Sequence, residues 1–79
     1  MMTKEEVVAL GYKNCRQLPD GKWIALHEFI FTYGLLYDIT EFSYVCRWCY
    51  DKKDLGAAIV AYSEWDGEGD PAGPWVVKK

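Results

Sequence analysis

Apolar and polar positions change their spacing along this chain, and each change marks an element. Thr3 and Glu6 stand three apart, the spacing of a capping box in which each side chain satisfies the other's backbone N–H. Val7 and Leu10 then share one helical face, and Gly11 supplies a left-handed stop. Residues 12–18 read as a strand. Pro19-Asp20-Gly21 is a turn, because Pro presets φ and Gly supplies a positive one. Residues 22–31 are apolar almost throughout, so their period decides little between strand and helix. The preceding turn and the aromatic residues Trp23, Phe29 and Phe31 favour a strand. Thr32 to Gly34 reads as a bulge or bend, since an isolated Gly in a strand often marks one. Residues 34–40 continue extended, and Glu41-Phe42-Ser43 turns the chain back.

Residues 44–51 give the clearest strand. Strict alternation assigns Tyr44, Cys46, Trp48 and Tyr50 to one face, and Val45, Arg47 and Cys49 to the other. A second helix follows, with Asp51 as its expected N-cap and Asp54 adding negative charge to the first turn. Leu55, Ala58, Ile59 and Tyr62 recur at the spacing of one apolar stripe. Gly67 is the expected end, and residues 66–74 lead to a short terminal strand at 74–79. The order is α-β-β-β-α-β. Short connections between strands predict a mainly antiparallel sheet of about four strands. The expected fold is a two-layer α+β domain over 1–79, with the second helix on one face of the sheet.

Composition narrows the class. Seventy-nine residues bury only about 60% of the surface the unfolded chain exposes. Four tryptophans, six tyrosines and three phenylalanines are more than so small a core readily hides, so some should reach the surface and favour an interface. The net charge of −3 and the lack of a basic run argue against nucleic acid, whose binding rests on neutralising phosphates. No apolar run approaches the ~20 residues of a membrane span. The N-terminus is acidic and amphipathic, unlike a secretory signal. An odd count of three cysteines fits reduced thiols in the cytoplasm.

Cys15, His27, Cys46 and Cys49 are the right number and type for tetrahedral zinc. The expected geometry opposes it. A zinc knuckle puts its C-x-x-C on a tight turn, whereas residues three apart on a regular strand point to opposite faces. The two sulfurs should then diverge, as small buried apolar groups do. The same pair as a redox site lacks the helix N-terminus that lowers a thiol pKa. No cofactor is expected. Asp66, Glu68 and Asp70 match the first positions of a calcium loop, but Pro71 and Val77 stand where Gly and Glu are needed. The glycines at 67 and 69 follow a helix among acids, which disfavours phosphate. His27 and Glu28 are adjacent on a strand and cannot serve one substrate together. Arg47, mid-strand, is expected to pair with Asp38 or Glu41, or to contact a partner.

Leu-Pro-Asp-Gly at 18–21, W-x-x-x-H at 23–27, FT-x-GL at 31–35, R-x-C-Y at 47–50 and above all WDG-x-GDP-x-GPW at 65–75 resemble a group of short uncharacterised proteins of bacteria, their prophages and mobile gene cassettes. The likeness runs from about residue 9 onward. It implies a stand-alone accessory protein and carries over no functional residue.

The reading is a small non-catalytic protein that binds another protein, or itself, through an aromatic-rich surface. Tyr44, Arg47, Trp48, Trp65, Asp66, Asp70 and Trp75 are the candidate contact residues. A two-fold dimer would cover the open face of the sheet. The competing solution folds the first helix and the 66–74 loop over that face. Two alternatives stand beside this reading. One is a zinc or redox protein built on the cysteines. The other is a single-strand nucleic-acid binder that stacks bases on Tyr44, Trp48 and Tyr50, against the charge balance.

Overall fold

The computed structural model describes residues 2–78. Met1 and Lys79, the ends of the expected domain and terminal strand, lie outside them. Thr3 begins α1 (Lys4–Ala9) as its spacing predicts: its hydroxyl accepts from the Glu6 N–H, and Glu6 Oε1 accepts from the Thr3 N–H at 3.0 Å. Leu10 caps the helix and Gly11 takes φ +103°. Val7 is fully buried, but Leu10, expected beside it, is 40% exposed.

Among the described residues five antiparallel strands form one sheet in chain order: β1 (Cys15–Gln17), β2 (Trp23–Glu28), β3 (Thr32–Tyr37), β4 (Val45–Asp51) and β5 (Val77–Lys78). With α1 before the sheet strands and α2 (Leu55–Glu64) before β5, the fold is α+β. The Pro19–Gly21 turn joins β1 to β2, with Gly21 at φ +90° and its N–H donating to the Leu18 carbonyl at 2.9 Å. The extra strand arises where the apolar run was expected to continue. The chain reverses at residues 29–31, closed by the Phe29 N–H on the Thr32 carbonyl at 2.8 Å. Gly34, read as a bend, sits inside β3 opposite His27 and Cys49. None of the three turn residues has turn chemistry, so no local signal marks the reversal; pairing of β3 with both neighbours imposes it.

β4 carries the main departure from regular alternation. Leu35 pairs with Trp48, but Leu36 pairs with Cys46, so Arg47 is the extra residue of a β-bulge. The bulge breaks the expected stripe. Trp48 and Tyr50 turn to the α2 side with Ile24, Leu26 and Leu35. Cys46 turns to the opposite side with Cys15, Ala25 and Leu36. Tyr44 also leaves the stripe, its ring meeting Tyr12 at 6.1 Å beside that second core.

α2 covers the first face with a different stripe from the one expected. Ala58, Ala61 and Trp65 are buried there and Tyr62 is half-buried, whereas Ile59 remains 47% exposed. The spacing is the same, moved three residues along the chain. Large side chains of the sheet already fill the layer, so the helix approaches through its small residues and leaves Leu55 and Ile59 at the margin. Asp51 caps a 3-10 turn (Lys52–Asp54) by accepting from the Lys53 N–H at 3.0 Å, and α2 starts one turn later. On the second face, α1 lays Val7 against Trp23, Leu36 and Ile39. Among the described residues no helix is long and apolar enough to cross a membrane.

Candidate functional site

The 65–75 loop folds back on the α2 side and is held by the core. Trp65 closes α2, and its ring meets Trp48 at 5.1 Å and Tyr37 at 5.5 Å. Its Nε1 donates to the Gly69 carbonyl at 3.1 Å, and the Asp66 carboxylate accepts from the Glu68 N–H at 2.9 Å. The buried Tyr50 hydroxyl donates to the Ala72 carbonyl at 2.7 Å. Burial pushes the Tyr50 pKa up, while Trp75 opposes the shift. Asp70 accepts from Lys78 at 2.6 Å, and the Lys78 ammonium lies 5.2 Å from the Trp75 ring centre. That hydrogen bond is the main cause holding the Asp70 carboxyl below its usual range, with Trp48 and Arg47 adding to it. The Trp48 indole N–H nevertheless falls outside hydrogen-bonding geometry to the described residues.

Arg47, exposed on the bulge, lies over the Trp48 ring at 5.8 Å. Arg47, Trp48, Trp65, Asp70 and Trp75 therefore gather in one region. Asp66 is at the exposed start of the loop, and Tyr44 is on the other face. Trp48 is only 2% exposed and Trp65 is also buried, so these rings anchor the loop and are not surface platforms.

Cys15, His27, Cys46 and Cys49 share the face opposite α2. Successive strand pairings put Ala25 and Leu36 between Cys15 and Cys46. His27 packs edge-on against Phe29 at 4.8 Å and Tyr12 at 5.7 Å. Among the described residues, no three His, Cys, Asp or Glu side chains converge as a metal set. The expected divergence of Cys46 and Cys49 is overturned. Their sulfurs lie 3.7 Å apart, because the Arg47 bulge turns both onto one face.

A larger feature was not singled out from the sequence. An open groove of about 720 Å³ runs between the start of α1, the β1–β2 turn and the end of β3. Trp23, Ile39 and Phe42 give it apolar walls; Glu6, Asp20, Asp38 and Glu41 give it an acidic rim. Asp38 stands at φ +50°, uncommon for a residue with a side chain. Lys22 approaches Asp38 at 3.8 Å. The Thr40 hydroxyl accepts from the N–H groups of Phe42 and Ser43 at 3.2 and 3.0 Å, which fixes the turn and leaves Phe42 93% exposed. The available signal was the Glu41-Phe42-Ser43 turn itself, where a large aromatic stands among polar residues. Its partners Trp23 and Glu6 are distant in sequence, so only the fold assembles the groove. Comparison with protein-family models, with curated proteins and with solved structures gives no match.

Proposed function

We propose that the protein is a small non-catalytic interaction module, and that the groove beside Phe42 receives a partner segment in which basic residues alternate with apolar ones. The observation that carries this is the groove's composition: Trp23, Ile39 and Phe42 inside a rim of four carboxylates answered by Lys22 alone among the described lining residues. Apolar walls supply burial, and a rim of one charge sign selects and steers a complementary partner. An aromatic held 93% in water by its own turn loses little order on docking and gains burial. The partner is a protein, in keeping with an acidic chain; the reading sets the protein in the cytoplasm as an accessory factor.

Peptide display against the whole chain tests this. Segments that combine Arg or Lys with Leu, Ile or Phe should be enriched. Their binding should weaken with salt, shift Trp23 fluorescence, and be lost in Glu41→Lys/Phe42→Ser. Enrichment of acidic segments, or binding indifferent to that double change, would overturn the proposal. Sedimentation separates the alternative occupant: a dimer dispersed by the same double change would assign the groove to a second copy.

A further inference from the structure

We infer that Cys46 and Cys49 form a reversible dithiol site, closing to an intrachain disulfide by exchange with a low-molecular-weight disulfide. Three steps along a regular strand span about 10 Å, beyond the ~4.4–6.8 Å over which a disulfide joins two Cα atoms. The bulge changes this. Cys46 lies opposite Leu36 and Cys49 opposite Gly34, so three steps on β4 cover only two on β3. Two steps span about 6.7 Å, the upper end of the permitted range, and both side chains emerge on the same face.

The sulfurs are already 3.7 Å apart and both residues are half-buried. Gly34 keeps the space between the strands open on that face: a Cβ there would stand 2.9 Å from Cys46 Sγ and overlap the Phe29 ring. Metal binding is disfavoured beside this reading, since no third ligand converges on the pair among the described residues. Cys15 is buried on β1, with β2 and β3 between it and the pair, and burial raises its thiol pKa.

The chemistry balances in two steps. One thiolate of the pair attacks the small disulfide, forms a mixed disulfide and expels one small thiolate. The second thiolate attacks the protein sulfur of that mixed disulfide, forms the 46–49 bond and expels the other. The protein loses two electrons and two protons, and the small disulfide is reduced to two thiols. A bond made at the limit of the geometric range is readily reduced again. Closure pins the bulge that carries Arg47.

Oxidised glutathione added to the native protein tests this. Trypsin cuts after Arg47 and so separates the two cysteines, leaving residues 23–47 and 48–52 as distinct peptides. The expected product is lower in mass by two hydrogens, yields those two peptides joined, retains an alkylatable Cys15, and returns to the dithiol with reductant. Cys49→Ser should stop at a glutathione adduct on Cys46. An adduct that persists on the unaltered protein, closure only in denaturing urea, or a bond through Cys15 would each overturn the inference.

Discussion

Arg16 on β1 donates its Nε hydrogen to the backbone carbonyl of Tyr62 on α2, at 2.9 Å. Its Nη2 donates to the Trp65 carbonyl as well. One guanidinium thus satisfies carbonyls at the C-terminal end of the helix, where partners run out and the helix dipole is negative. It also ties the sheet edge to the layer above. Arg16→Ala should lower stability by about 1.5–3 kcal/mol, the usual worth of hydrogen bonds to a charged group. Arg16→Lys should recover only part, because an ammonium lacks the planar fork. Thermal unfolding of the three proteins checks the order; equal midpoints for the unaltered chain and the Arg16→Ala variant would remove the capping role.

The packing of α2 predicts an inversion of the usual rule that the larger apolar residue matters more. Ala58 is fully buried, and Ile59 is nearly half exposed. Ala58→Leu should cost about 1–3 kcal/mol by overpacking. Ile59→Ala should cost about 1 kcal/mol or less, since about half of its surface is already in water. Denaturant titration of both variants decides; a larger loss at Ile59 would mean the helix is rotated from the described position.

Gly34 makes a separate case, in which the side chain is excluded by its neighbours. Gly34→Ala sets a methyl group against the Phe29 ring and Cys46 Sγ. The ring must leave its edge-on contact with His27. The expected outcome is about 1–3 kcal/mol of destabilisation and a changed His27 ring environment by NMR. Unchanged His27 resonances with unchanged stability would show that the face is looser than described.

Tyr62 predicts an alkaline limit. Burial, with a smaller contribution from Cys15 and against the pull of Arg16, raises its pKa to about 12. The unfolded value is about 10. A raised pKa means that the folded state holds the proton more tightly, so this contribution is complete below pH ~10 and is lost as pH climbs toward 12. Tyr62→Phe should flatten the fall in stability across that window. An identical slope in the variant would assign the alkaline loss to other groups.

Local chemistry determined several elements outright. The Thr3–Glu6 box, the positive φ at Gly11 and Gly21, and the strand character of 45–51 depend on groups a few residues apart, so the sequence is sufficient to specify them. The acidic, aromatic-rich class of the chain was legible in the same way, as was the α+β order. Four other features were decided by tertiary structure. The reversal at 29–31 lacks turn residues and follows from the pairing of β3 with β2 and β4. The buried face of α2 was a choice between two equally spaced stripes, decided by the volume that Trp48 and Tyr50 already occupy. The groove joins Glu6, Trp23 and Phe42 from three separate segments. The meeting of Cys46 and Cys49 depends on one inserted residue, Arg47. Period-two alternation is exact only for an unbroken ladder. One inserted residue reverses every side chain beyond it, and the cross-strand register that inserts it is a long-range property.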